Sequence, residues 1–239
     1  MTAIANGWRL SIPAGQKGIY RLAQLDDYAR LSRRHLPWRP PLTLRLRARL
    51  SAVDLPGTWG FGLWNDPFGM SLGFGGTAGR MPALPEAAWF FHASPENHLA
   101  LRDSLPARGF FAGSFHSPGI PLPLMAPALL ALPLLPVRPI SRLLRRSAAR
   151  VIRQEAVAIP LDVTQWHLYS ISWLREVLYF AIDERNILES RLILRPPLAL
   201  VLWIDNQYAA WTPDGRIGYG TLGNSAAWLE LSDLKIEKT

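Results

Sequence analysis

Cysteine is absent from the 239 residues, and lysine nearly so: Lys17, Lys235 and Lys238 stand against 23 arginines. Without a thiol there is no disulfide, no thiolate zinc site and no cysteine nucleophile. No spacing of His, Asp and Glu resembles a metal site. "GFGGTAG" lacks the Lys-Ser/Thr of a phosphate-cradling loop, so no cofactor and no metal are expected. Charge is sparse, at 18% of residues against 49% apolar, which places the chain among globular proteins. The opening, "MTAIANGWRLSIPAG", has no basic start followed by an apolar run, so no secretory leader is expected and the expected location is cytoplasmic.

What is present is arginine, tryptophan and strand-like alternation. The net charge is +8, and two stretches hold the excess: seven arginines and no acid from Arg30 to Arg49, six arginines and no acid from Arg138 to Arg153. Such clusters suit phosphate-bearing partners, anionic lipid or nucleic acid. No recognisable nucleic-acid module accompanies them, so nucleic acid is the less favoured partner. The length fits one large all-β domain or two small ones. "PLTLRLRARLS" alternates leucine and alanine with threonine and arginine, the pattern of a half-buried antiparallel strand.

"GTWGFGLWND", "MSLGFGG", "AAWFFHAS", "RGFFAGSFHS", "WHLYSISWL", "EVLYFAID", "NILESRLIL", "LALVLWIDNQYAAW" and "AAWLELSDLKIEK" read as further strands. A hairpin turn is expected at Asp183 to Asn186, while Gly7 to Arg39 is ambiguous between strand, loop and short helix. About ten to twelve short strands predict a jelly-roll β-sandwich of two antiparallel sheets, a single domain over 1–239.

The order of these segments resembles the concanavalin A-like jelly rolls, nearest to the laminarinase and bacterial β-glucanase family of glycoside hydrolases. The resemblance is carried by "GTWGFGLWND", by "WHLYSISWLREVLYFAIDERNILES" and by the terminal "AAWLELSDLKIEK". It implies the fold, with the last strand closing a sheet beside the first. It does not imply glycosidase activity. That family carries a Glu-x-Asp-x-x-Glu run that sets two carboxyl groups about 5 Å apart. None of the eight glutamates here opens such a run, and the expected position holds "FGMSLGFGG" or "AAWFFHASPEN".

Ten tryptophans suggest an aromatic cleft as well as a core. Trp166, Trp173 and Trp228 are assigned to the core. Gly57, Gly60 and Gly62 leave one strand face bare, open to a ligand or another backbone. Candidate ligand-binding residues are Trp59, Trp64, Asn65, Trp89, Phe91, Trp203, Gln207 and Tyr208. Candidate acid–base residues are Asp66, His92 and Asp205; alternation puts Trp203, Asp205 and Gln207 on one face.

One segment departs from the β pattern. Ile120 to Val137 carries no charge over eighteen residues, but its five prolines argue against a membrane-spanning helix. Ser141 to Gln154 has helical apolar spacing with arginines on the other face. Residues 118–156 are therefore read as an insertion of an apolar loop and a basic amphipathic helix. It is expected to lie in one leaflet of an anionic membrane through Leu122, Leu124, Met125, Leu129, Leu130, Leu134, Leu135, Arg142, Arg145, Arg146 and Arg150. Burial in the core, a lid over the cleft and a homo-oligomer interface are the alternatives.

The functional expectation is binding of an amphipathic or apolar ligand, a glycolipid or isoprenoid, in an aromatic cleft at the membrane. The alternatives are an enzyme working on that ligand by carboxylate and histidine chemistry, and a soluble lectin-like module that binds a glycan.

Overall fold

The alternation at 42–50 is realised as β4, whose leucines are buried and whose Arg45 and Arg47 are exposed. A computed structural model describes residues 1–67, 83–120 and 130–238. The expected strand "MSLGFGG" and four expected membrane contacts, Leu122, Leu124, Met125 and Leu129, lie outside the described residues. In chain order the first strands are β1 (Thr2–Ile4), β2 (Gly7–Ile12), β3 (Leu22–Asp26), β4 (Leu42–Leu50), β5 (Thr58–Trp64), β6 (Ala87–Ala93) and β7 (Gly109–His116). Helix α1 (Arg138–Val151) precedes β8 (Arg153–Ala158). The remainder are β9 (His167–Trp173), β10 (Leu178–Ile182), β11 (Arg185–Ser190), β12 (Ala199–Asp205), β13 (Gln207–Trp211), β14 (Ile217–Thr221) and β15 (Ala227–Lys238).

They form two packed antiparallel sheets and a small hairpin. A seven-stranded sheet runs β1-β2-β15-β4-β9-β10-β11; a six-stranded sheet runs β3-β12-β5-β6-β7-β8; β13 and β14 pair alone. As the resemblance implies, the last strand closes a sheet beside the early ones, with β15 between β2 and β4.

Inward residues of both sheets make one core. Leu42, Leu44 and Leu46 face Phe61, Phe90, Leu200 and Leu202, with Tyr169, Ile171, Trp173 and Phe180 between. Each such side chain contributes roughly 1.5–3 kcal/mol by burial. The β10–β11 hairpin turns on Asp183 and Glu184, at φ 48° and 66°. That two-residue left-handed turn matches the twist of the flanking strands.

The open region Gly7 to Arg39 resolves into β2, β3 and a 3-10 turn at Arg33–His35. Three local expectations are corrected. "NILESRLIL" is strand only to Ser190. "LALVLWIDNQYAAW" is two strands, broken at the buried Asn206. There the side-chain amide donates to the carbonyls of Ile19 (3.0 Å) and Leu222 (2.7 Å), which alternation cannot signal. Of the tryptophans assigned to the core, Trp173 is there, whereas Trp166 and Trp228 are partly exposed beside arginines of the outer face.

Candidate functional site

β6 buries all seven of its residues. A strand buried on both faces reads as an unbroken apolar run, which is what "AAWFFHA" is. Ala88 and Phe90 enter the inter-sheet core, whereas Ala87, Trp89, Phe91 and Ala93 belong to a second cluster on the outer face of the six-stranded sheet. Cross-strand pairing builds that face in rows. Trp203 lies opposite Gly60, Gly60 opposite Phe91, and Phe91 opposite Phe111. Val201, Gly62 and Trp89 form the next row.

The rings pack edge to face and tilted: Trp89 to Trp203 at 5.9 Å between centroids, Phe91 to Trp203 at 5.2 Å, Trp89 to Phe115 at 5.5 Å, Trp64 to Trp89 at 6.2 Å. The bare position expected at Gly60 is filled by the Trp203 ring, and that at Gly62 by the close approach of β6 at Ala88 and Trp89. A Cβ on Gly60 would lie 2.7 Å from Trp203 Cη2, and one on Gly62 2.6 Å from Trp89 Cβ. Gly60 thus leaves room for the Trp203 ring, and Gly62 for the close passage of β6.

One end of the face is polar. Trp203 Nε1 donates to Thr58 Oγ1 (2.9 Å), and Thr58 Oγ1 donates to Asp205 Oδ1 (2.9 Å). The same oxygen accepts the backbone N–H groups of Thr58 (3.1 Å) and Gln207 (3.2 Å), and Tyr20 lies 3.4 Å from Oδ2. Burial pushes the Asp205 carboxyl up to about 7 against the pull of those donors. A proton on Oδ2 would then donate to the Tyr20 oxygen, leaving Oδ1 to the other three donors. Among the described residues, Trp89 Nε1 in the middle of the aromatic face is buried with no hydrogen-bond partner, as is Gln207 Oε1 on β13, just past Asp205. Orphaned polar atoms of this kind cost stability and need a reason.

Other candidates do not join this face. Trp59 points into the inter-sheet core, stacked on His92 at 5.3 Å and on Phe110 at 4.8 Å. Burial lowers His92 to about 4, partly offset by the charge of Asp54. His92 is therefore on the opposite side of the sheet from Asp205, and the two cannot share a proton path.

Asp66 follows the other end of β5, whose last residue, Trp64, is roughly 20 Å from Thr58 along the strand. It is fully buried, with a left-handed backbone (φ 48°) and a carbonyl that accepts Arg33 Nε at 3.2 Å. Asn65 is occupied in a loop clasp, donating to the Leu84 carbonyl (2.8 Å) and accepting the Glu86 N–H (3.1 Å). Tyr208 and Gln207 are adjacent on β13 and so face opposite ways. The Tyr208 ring lies over Gly218 and Gly220 of β14, near 3.4 Å from where their Cβ atoms would be. The structure thus gathers Trp64, Trp89, Phe91 and Trp203, with Asp205 at one end. Asp66, His92 and Asp205 form no common acid–base centre.

Several residues were not singled out from the sequence. Phe111, Phe115 and Tyr28 complete the aromatic face. Glu86 is buried and saturated: it accepts Arg195 Nε (3.0 Å), Arg195 N (3.0 Å) and Ser117 N (3.0 Å), with His116 Nδ1 at 3.2 Å. A lone glutamate before an apolar run gives no sign of such a nest. The outward positions of β5, β6 and β7 are Thr58, Gly60, Gly62, Trp64, Ala87, Trp89, Phe91, Ala93, Phe111, Gly113 and Phe115. They supply no carboxylate for the paired-acid chemistry of retaining hydrolysis. No group of three or more His, Asp or Glu that could hold a metal occurs among the described residues.

Residues 117–152 connect β7 to β8, so the insertion ends before Arg153, earlier than expected, and the 153–158 stretch is strand. Helix α1 runs from Arg138 to Val151, and its buried residues are Ser141 and Arg145. Arg145, expected at headgroups, turns inward instead. Its guanidinium donates to the carbonyls of Trp211 (2.9 Å) and Ala100 (2.9 Å) and to Asp103 Oδ1 (2.8 Å). Trp211 Nε1 donates to Ser141 Oγ at 2.9 Å. The helix is thereby fastened to the β13–β14 hairpin and the 97–107 loop, on the outer side of the six-stranded sheet. Leu143, on the apolar side of the helix, is 62% exposed, with Leu130 at 79% and Leu134 and Val137 at 47%. Arg138, Arg142, Arg146 and Arg150 are exposed beside them, while Leu135 is half-buried. No helix among the described residues is long and apolar enough to cross a membrane.

No family model matches the chain, and no curated protein matches it. Solved structures do. One comes from work on "prominent members of the human gut microbiota" that "express endo-acting O-glycanases to initiate mucin breakdown": TM-score 0.52, 12% identity, 96% of this chain and 78% of that one. A legume lectin-like domain from Entamoeba histolytica aligns with TM-score 0.47 at 12% identity, over 100% and 86% of the two chains. A Bacillus licheniformis β-glucanase aligns with TM-score 0.46 at 7% identity, over 97% and 78%. At such identities the likeness is one of fold. The chain has the concanavalin A-like jelly-roll sandwich that its segment order implies.

Proposed function

We propose that the chain binds an amphipathic, ring-bearing molecule, a glycolipid or similar glycan conjugate, on the aromatic outer face of its six-stranded sheet. The reading is supported by one observation above the rest: that face holds a buried polar atom, Trp89 Nε1, with no partner among the described residues, and Gln207 Oε1 on the adjoining β13 is likewise unpartnered. Packing alone would favour apolar atoms there. A ligand carrying a hydroxyl acceptor and a donor would satisfy both, while its ring faces stack on Trp89 and Trp203. Binding without hydrolysis is favoured because the outward positions of β5 to β7 carry aromatic, glycine, alanine and threonine side chains in place of two carboxylates. The soluble lectin-like reading and the acid–base enzyme reading share this face. The enzyme reading has Asp205 at one end of it as a proton carrier, with Asp26 opposite Val201 on β3.

The exposed side chains of the insertion support a membrane location for this site. Leu130, Leu134, Val137 and Leu143 are exposed next to four exposed arginines. Apolar side chains entering the acyl boundary, with cations on anionic headgroups, give stable and reversible attachment. Each arginine contributes roughly 1 kcal/mol near such a surface.

Mass spectrometry of small molecules extracted from the purified chain tests the binding face. A sugar-bearing amphiphile should accompany the wild type and be depleted in Trp89→Phe and Gln207→Leu, which remove one polar atom each and little bulk. An empty wild-type protein, or equal loading of the variants, would refute the reading. Co-sedimentation with phosphatidylcholine vesicles, with and without phosphatidylglycerol, tests the docking. The intact chain should pellet with the anionic vesicles and the Leu130→Ser/Leu143→Ser variant should stay in solution; equal partitioning removes the membrane from the account.

A further inference from the structure

The outer face of the other, seven-stranded sheet carries a second feature, which the aromatic site does not use. β4 projects Arg45, Arg47 and Arg49 outward at every second residue, about 6.8 Å apart along the strand. β2 adds Arg9 across from Glu230, and β15 adds Lys235 across from Arg45. Two tryptophans interleave with the arginines. Arg9 lies 4.9 Å from the centre of the Trp228 ring and Arg49 5.5 Å from it; Arg49 lies 4.9 Å and Arg47 5.9 Å from that of Trp166. Buried Glu230 pins the array from beneath, accepting Arg9 Nε at 2.8 Å and Arg49 Nε at 2.7 Å. Burial alone would raise that carboxyl, but the hydrogen bonds from Arg49 and Arg9 outweigh it and hold it below the usual range.

A merely solvated face has no need of this construction. Lysines on flexible stems would keep the chain soluble, whereas here planar guanidinium groups are stacked and pinned, so little freedom is lost when an anion meets their edges. Glu230 neutralises one charge of the group, and Arg45 and Arg47 are exposed. The geometry points to a binding surface for a linear acidic glycan, one carrying sulfate or carboxylate groups along its length. Charge complementarity selects a polyanion. A single-stranded nucleic acid is less well suited, because base stacking needs free aromatic faces and each ring here already has two guanidinium groups against it. This surface is on the opposite outer side of the sandwich from α1 and the aromatic face. It could hold a polyanion while those engage a membrane and a ligand, and its success or failure is independent of theirs.

The test uses a heparin oligosaccharide as the acidic glycan, with oligothymidylate of equal charge and neutral dextran as comparators, at about 0.1 M salt. The intact chain should bind heparin with an affinity that falls steeply as salt rises, and ignore dextran. Arg45→Gln/Arg47→Gln, at exposed positions, should weaken heparin binding about tenfold or more with an unchanged thermal midpoint. Arg142→Gln/Arg146→Gln, on α1, should leave it unaltered. Absence of heparin binding, equal binding by the β4 variant, loss in the α1 variant instead, or tighter binding of oligothymidylate would each overturn the proposal.

Discussion

Asp205 shows how much one carboxyl can report. Its environment combines burial with four donors, and burial wins, setting its pKa near 7 in the folded chain against 3.8 in the unfolded one. Between about pH 4 and 7 the folded state therefore holds a proton that the unfolded state has lost. Stability contributed by this group is full below pH 4, declines across that window and is flat above it. The full decline is worth up to about 4 kcal/mol at 1.36 kcal/mol per pKa unit.

Asp205→Asn keeps the acceptor for Thr58 and Gln207 and can donate to Tyr20. Urea unfolding should show the variant gaining on the wild type as pH rises from 4 to 8, with the two alike near pH 4. A constant difference would mean that Asp205 stays ionised in the fold. Gly60→Ala is a second residue-scale test. Its Cβ would sit 2.5 Å from the Phe90 carbonyl oxygen as well as against Trp203. Overpacking of this kind costs typically 1–3 kcal/mol, readable as a lowered denaturation midpoint. An unchanged midpoint would show that the Trp203 ring is not fixed across the strand.

At the scale of elements, α1 is held by polar bonds more than by its apolar stripe. Arg145→Met removes donors to two buried carbonyls and to Asp103, a loss of about 2–4 kcal/mol in local docking. The helix should then come away from the β13–β14 hairpin, and trypsin should cut at Arg146 and Arg150 faster than in the wild type; equal cleavage rates would place the anchor elsewhere.

This same element marks the limit of sequence reading. Spacing alone revealed a basic amphipathic helix between two strands. It groups Arg145 with the other arginines, at headgroups, because periodicity assumes that arginine stays outside the fold. The contacts that bury it come from residues 42 to 66 positions away along the chain. β4, β6 and the β10–β11 hairpin were legible because their signals are local: strict alternation, an unbroken apolar run, and a two-residue turn. β13 was fused to β12, because Asn206 breaks the strand through tertiary bonds. The aromatic face was half legible. Trp64, Trp89, Phe91 and Trp203 share it, but face assignment depends on register, and Trp59, only one residue from Gly60, belongs to the core.

At the scale of the whole molecule, the two outer faces of the sandwich differ in kind. The six-stranded sheet carries a layer of tryptophan and phenylalanine whose rings are buried, on the side of the β13–β14 hairpin and the 97–107 loop. The seven-stranded sheet presents stacked arginine and tryptophan. The inter-sheet core between them is ordinary, and it takes in the rings of Trp59 and Trp173. Any ligand of the aromatic face must therefore be sensed on one side of the six-stranded sheet and not on the other.

That asymmetry is directly measurable in the tryptophan indole N–H resonances of the nitrogen-15-labelled chain during titration with octyl glucoside below its micellar concentration. The account predicts saturable shifts of Trp89 and Trp203, assigned through Trp89→Phe and Trp203→Phe, with Trp59 and Trp173 unmoved. Shifts absent from Trp89 and Trp203, or spread equally over all four, would contradict it.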